Sequence, residues 1–142
     1  MRRLIPAVLV AMASAITPAT AHASATPQAG VVVVTSGWKP QATSFSTVPG
    51  QQYVITATGA FAAFTEGLTL GLGDCRSWLH PGGVAQPSDA VTVDGHAAGC
   101  RSLPHSETHT YRWTETGTGA PFRFEIRYQV IGGGLAFAVT PG

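Results

Sequence analysis

The chain has 142 residues, with eight Lys and Arg against seven Asp and Glu, and charged side chains make up only 11% of it. That length holds one domain rather than several, and the even charge balance excludes the basic footprint of a nucleic-acid-binding surface. Thr, Gly, Ala and Ser dominate instead, a composition common among extracellular β proteins.

Arg2 and Arg3 form a basic start, Leu4 to Ile16 is an apolar run, and Ala21-His22-Ala23 supplies the small-x-small pattern that signal peptidase accepts. Residues 1–23 therefore read as a secretory signal peptide. Its apolar run is shorter than the roughly 20 residues a bilayer span needs, and nothing later in the sequence is long or apolar enough to be a transmembrane segment. The mature chain is expected to begin near Ser24, slightly acidic once Arg2 and Arg3 are removed, and to be secreted and extracellular. Residues 24–30 read as a flexible leader, and 31–142 as a single domain.

Val31 to Val34 suit a short buried strand, with Trp38 after its end. Val48-Pro49-Gly50-Gln51 is a turn: Pro presets the first corner and Gly accepts the positive φ of the second. It is flanked by Ser44 to Val48 and by Gln52 to Thr58. In the second stretch Tyr53, Ile55 and Ala57 share one face, so the two segments are expected to pair as strands across Pro49-Gly50. Leu68, Leu70 and Leu72 alternate with Thr69 and Gly71 in a further strand. From Cys75 to Ser106 the chain is broken by Pro and Gly, and only Ala90 to Asp94 offers a strand. His109, Tyr111 and Trp113 then alternate with Thr110, Arg112 and Thr114. After Gly117-Thr118-Gly119, the residues Phe122, Phe124, Ile126, Tyr128 and Val130 alternate with Arg123, Glu125, Arg127 and Gln129. The latter face is expected to be solvated and to carry cross-strand ion pairs. Gly132-Gly133-Gly134 is read as a turn into the last strand at Leu135, Phe137 and Val139.

Seven to nine short strands with Gly/Pro turns and no amphipathic helix predict an all-β fold, a β-sandwich of jelly-roll or Greek-key type. Two cysteines in an exported chain, Cys75 and Cys100, predict one disulfide across the weakly patterned region. Closing that loop removes chain entropy worth about 3.5 kcal/mol.

A Pro-Gly-Gln turn opening Tyr53-Val54-Ile55-Thr56-Ala57-Thr58-Gly59, the Tyr111-Arg112-Trp113 strand, and a last strand reading Gly134-Leu135-Ala136-Phe137-Ala138-Val139-Thr140 together resemble the bacterial galactose-binding lectin-like domains. The resemblance runs from Trp38 to Thr140 and implies a jelly roll that binds sugars. In that family calcium is held by an Asp and Asn cluster before the last strand. Here the corresponding loop, Gln129 to Gly134, has no carboxylate and no Asn, so no calcium site is expected. His80-Pro81 is similar to a His-Pro pair in the family's sugar-contacting loop. Asp74-Cys75-Arg76 before a later Cys is similar to the pre-peptidase C-terminal domains, which are accessory sandwiches without catalysis.

Sugar recognition requires an aromatic face for stacking and polar groups that orient hydroxyls. Trp78, beside Asp74, Arg76 and His80, is the candidate platform, with a lid on the disulfide or core as its alternative role. Trp38 is a second aromatic candidate, whereas Trp113 is expected in the core. His105, Glu107 and His109 share a face if the segment is extended, but a polar approach to the Tyr111 strand is the preferred reading, and neither a metal nor a cofactor is expected. No G-x-S-x-G elbow is present. Glu66, Asp74, Asp89 and Asp94 are a chance abundance of carboxylates unless the fold pairs two of them. The expected function is a secreted, non-catalytic recognition module for a glycan or another cell-surface ligand, with a purely structural protein and a small hydrolase as the alternatives.

Overall fold

The computed structural model describes residues 29–37, 41–64, 70–79 and 86–142. Residues 1–28, on which the expected signal peptide and most of the expected leader fall, lie outside them, as do Trp38, Glu66, Leu68 and His80. Eleven strands are described: β1 Gly30–Gly37, β2 Gln41–Phe45, β3 Gln52–Phe64, β4 Leu70–Gly73, β5 Ser77–Leu79, β6 Gln86–Pro87, β7 Val91–Val93, β8 His96–Ala97, β9 Thr110–Thr116, β10 Phe122–Ile126 and β11 Gln129–Pro141. One sheet runs β1-β11-β3-β4-β5-β6, with β9 also paired to β3; the other runs β2-β10-β7-β8. The protein is an all-β, two-sheet sandwich with no α-helix among the described residues. Among the described residues no helix is long and apolar enough to cross a membrane.

The core follows the period-2 pattern. Tyr53, Ile55 and Ala57 of β3, Tyr111 and Trp113 of β9, Phe122, Phe124 and Ile126 of β10, and Leu135, Phe137 and Val139 of β11 are all buried. Phe124 and Phe137 stack across the two sheets with ring centroids 4.5 Å apart. Tyr53 meets Phe45 and Phe122 edge-on at 5.9 and 5.7 Å. Such pairs add to the apolar area they bury.

Several expectations are corrected. The Pro49-Gly50 turn forms, with Gln51 N donating to Val48 O at 3.2 Å, but it does not join a strand pair. β2 ladders with β10 in one sheet, whereas β3 ladders with β11, β4 and β9 in the other. The turn is a corner between sheets, because Phe45 and Tyr53 must face each other across the core. It is pinned by reciprocal bonds, Gly50 N to Gly117 O and Gly117 N to Gln51 O, both 2.8 Å.

Gly132-Gly133-Gly134 is not a turn either. These glycines lie inside β11, beside a bulge between Val130 and Gly132, and the chain changes sheets earlier, at Arg127-Tyr128. A Cβ at Gly133, where φ is +71°, would sit 2.3 Å from the Ala60 carbonyl oxygen. Only glycine lets the two backbones approach so closely.

The region from Cys75 to Ser106 holds β5, β6, β7, β8 and a 3₁₀ turn at Gly99–Ser102, not one strand alone. Strands of two or three residues have too little periodicity to be seen in sequence. In β4, Leu70 and Leu72 face outward, 45% and 56% exposed, and the glycines face inward. The reason is steric: a Cβ at Gly73 would lie 2.7 Å from the Trp78 ring and 2.8 Å from that of Phe61. On the outer face of β10 Arg123 pairs with Glu125 along the same strand, and Arg127, just past the end of β10, pairs with Asp89, just before β7, so the ion pairs are not between ladder partners.

Cys75 and Cys100 form the disulfide, with Cα atoms 6.0 Å apart. Replacing both cysteines by serine is expected to lower the unfolding free energy by about 3.5 kcal/mol in guanidinium titrations. A loss under about 1 kcal/mol would mean that the other tethers of this segment suffice.

Candidate functional site

β3 has thirteen residues and changes partner along one edge. Its first half, Gln52 to Thr58, ladders with β9, and its second half, Phe61 to Phe64, ladders with β4. Between them Gly59 turns to φ +121°, and its N–H donates to the His109 carbonyl at 3.1 Å. This exchange opens a gap in the sheet between the start of β9 and the end of β4. A cavity of about 480 Å³ occupies it. Ala60, Phe61 and Ala62 of β3, Leu72 and Gly73 of β4, and Gly132 and Gly133 of β11 form its apolar walls, and Asp74, His105 and His109 close one end.

Asp74 organises that end. The residue is 1% exposed, and its carboxylate accepts five hydrogen bonds. Oδ1 takes the backbone N–H of Arg76 at 2.9 Å and that of Ser77 at 2.8 Å, plus the Ser77 hydroxyl at 3.0 Å. This is a turn closed by an Asp side chain onto its own backbone. With Oδ1 consumed, Oδ2 points away from the turn and accepts from Tyr111 Oη and His109 Nδ1, each at 2.7 Å. An ionised carboxylate only accepts, so His109 Nδ1 carries the proton. Tyr111 spends its one proton on Asp74, so the His105 Nδ1 found 3.3 Å from the phenol oxygen is the donor in that contact.

Burial by itself would raise the Asp74 pKa. The bonds from His109, Tyr111, Ser77 and Arg76 outweigh it and hold the group below its ordinary 3.8. Tyr111 moves the other way, pushed up to about 12 by burial and by the adjoining carboxylate. The cluster is thus an anion held by a neutral phenol and the His109 imidazole, with the His105 imidazole bonded to the phenol oxygen. The His109 side chain stays 45% exposed, and its backbone holds φ +50°, where few non-glycine residues are found.

The sequence-predicted residues separate. Asp74 belongs to the site. Arg76 does not face the cavity through its guanidinium: its Nε donates to the Leu103 carbonyl and ties the 74–77 turn to the exit of the 3₁₀ turn. Trp78 is 4% exposed, with its ring against Phe61 at 5.8 Å and Tyr128 at 5.1 Å, so it is a core residue beneath the cavity rather than a stacking platform. Trp113 is buried as expected, its Nε1 bonded to Glu115. Glu107 does not join the two histidines, because residues 106–109 form a turn, with His109 N donating to Ser106 O at 3.0 Å, and not an extended run. Of the other candidate carboxylates among the described residues, Asp89 pairs with Arg127, and Asp94 accepts the Arg123 N–H from the β7–β8 turn. Sequence reasoning assigned Tyr111 to the core alone and missed its role here. The one local signal was the Asp-x-Arg-Ser pattern of a side-chain-closed turn, which marks Asp74 as structured but not what it faces.

No protein-family model, curated protein or solved structure matches this chain. The likeness to galactose-binding lectin-like domains therefore rests on the strand and turn motifs alone.

Replacing Asp74 by Asn puts an amide NH₂ where a carboxylate oxygen accepted hydrogen bonds, and should cost about 2–4 kcal/mol of stability by urea unfolding. The pH dependence follows in sign. Since the folded pKa of Asp74 lies below its unfolded value, its contribution is complete above about pH 4 and is lost as pH falls through the folded pKa. For Tyr111, with the folded pKa raised, the contribution is complete below about pH 10 and is lost as pH rises through about 12. Ultraviolet phenolate titration should therefore find one tyrosine ionising near 12 that is missing in Tyr111→Phe and moves down in Asp74→Asn.

Proposed function

We propose that this chain is an exported, non-catalytic recognition module, and that its ligand is a small apolar or amphiphilic molecule held in the cavity beside β3. The observation that carries the reading is the cavity itself: apolar walls of alanine and leucine side chains from β3 and β4 and of glycine backbone from β4 and β11, with the Asp74, His105 and His109 side chains at one end. That is the usual construction of a small-molecule site, in which apolar walls supply affinity and a few polar groups fix orientation. Leu72, exposed on the rim, extends the apolar surface outward.

A non-catalytic role is supported by where the hydroxyl protons go. Ser77 and Tyr111, whose hydroxyls share the Asp74 carboxylate with His109, both donate to it, so neither is poised as a nucleophile with an imidazole as its base. Among the described residues the glycan reading has no exposed stacking face at the cavity, because Trp78 is buried and Phe61 is only 2% exposed. Export is supported by the signal-like N-terminus and by the disulfide, a bond that persists in oxidising compartments.

The processed chain is expected to bind the neutral apolar dye N-phenylnaphthylamine saturably and one to one, in metal-free buffer. Ala62→Phe, which fills the cavity, and Leu72→Lys, which charges its rim, should each weaken binding about tenfold with the circular dichroism spectrum unchanged. Equal affinity in both variants, or glycan retention on an array without dye binding, would overturn the assignment.

A further inference from the structure

We propose that Asp74, His105 and His109 form a binding site for one divalent transition-metal ion, zinc being the natural probe, at the polar end of the cavity. One ligand atom from each of the three side chains lies within 4.8 Å of the others. Two donor atoms bound to a tetrahedral zinc at about 2.0–2.1 Å lie about 3.3 Å apart, so the cluster needs only a modest contraction. His105 is exposed and can supply that movement by side-chain rotation, while Asp74 is fixed.

The donor set fits the ion. Imidazole nitrogens and a carboxylate oxygen suit zinc and its first-row neighbours rather than calcium or magnesium, which prefer oxygen alone. Asp74 is prepared for the role by its own turn: three donors engage Oδ1, which leaves Oδ2 aimed at the histidines. Tyr111, bonded to the same oxygen, supplies the outer support that orients ligating carboxylates elsewhere. Either imidazole can present a lone pair by exchanging its proton between ring nitrogens. The two rings stand edge to face with centroids 5.8 Å apart, on the two ends of one short turn. The backbone of His109 is held in its uncommon positive-φ state by the Gly59 and Ser106 hydrogen bonds, which keeps its ring over the carboxylate. Three protein ligands leave a coordination position open, and because all three residues line the cavity, that position faces whatever enters it. His96, on the β7–β8 hairpin of the other sheet, is outside this set and serves as the control histidine.

The site goes beyond the apolar-cavity reading and does not depend on it. Zinc titration without any organic ligand tests the first, and dye binding in metal-free buffer tests the second. Isothermal titration of zinc chloride into the chelator-stripped, processed chain should give one site per molecule, and cobalt in its place should develop d–d absorption bands from nitrogen ligation. His105→Gln, and His109→Asn, chosen because Asn tolerates positive φ, should each weaken zinc about tenfold or more, and His96→Gln should leave it unchanged. Absence of zinc binding, or affinity undiminished in His105→Gln, would overturn the site. Because His105 is exposed and its removal leaves the Asp74 turn intact, that variant decides the matter even if His109→Asn does not fold.

Discussion

The structure of one end of this sandwich depends on the Asp74 carboxylate. A buried anion is costly unless nearly every lone pair is used, and here five donors use them. Three of those donors belong to the turn that Asp74 itself begins, and two come from β9 and the segment before it. The carboxylate therefore does in hydrogen bonds what the neighbouring disulfide does covalently: it fastens the irregular middle of the chain to regular structure. Cys75 binds the 3₁₀ turn, Arg76 reaches the carbonyl just past it, and Asp74 reaches β9. Three consecutive residues thus point to three different anchors, so this stretch can be irregular in sequence and still hold its place.

The cavity follows from a second constraint, the sharing of one long strand by two shorter ones. β9 and β4 cannot both continue along the same edge of β3, and the ladder breaks where one hands over to the other. Backbone groups at such a break need partners. Gly59 finds one in the His109 carbonyl, and Gly59 and Gly133 allow β3 and β11 to bend together past the gap. Glycine at these positions is a matter of atomic room: a Cβ on Gly59 would lie 2.5 Å from the Gly134 oxygen, and one on Gly133 would meet that of Ala60. The same absence of side chains that permits the bend also clears the volume of the cavity, which is why its walls are alanine and glycine more than bulky residues.

Local patterns in the chain disclose the sandwich but not the site. Alternation in Tyr53 to Ala57, Phe122 to Ile126 and Leu135 to Val139 reports which face is buried, because each of those strands has one face on a common core. Which sheet a strand joins is decided by contacts between residues far apart, so the Pro49-Gly50 turn is legible while the destinations of its two strands are not. Three glycines in a row are ordinary turn signals, and only the proximity of Ala60 reveals that they sit in a bulged strand. The disulfide could be read from cysteine count and the chemistry of the expected compartment alone, with no knowledge of distance. The cluster could not: Asp74 and His109 are separated by thirty-five positions and Tyr111 by thirty-seven, and no spacing rule connects them. Trp78 illustrates the converse, since an aromatic residue among turn signals looks like surface until the glycine beneath it is seen to leave room for its ring.

His109 joins these threads. Its backbone occupies a left-handed conformation that costs an L-residue about 1–2 kcal/mol, so surrounding contacts must more than repay it. Its amide closes a turn onto Ser106, its carbonyl satisfies Gly59 at the break in the ladder, and its ring binds Asp74. A relaxed extended residue here would continue β9 backwards along β3, put its side chain on the face set by strand alternation, and close the gap. The strained residue instead ends the strand, keeps the cavity open and swings an imidazole over the buried anion. The opening in the sheet and the polar group at its end are thus two results of one backbone conformation, and a change that relaxed it would remove both together.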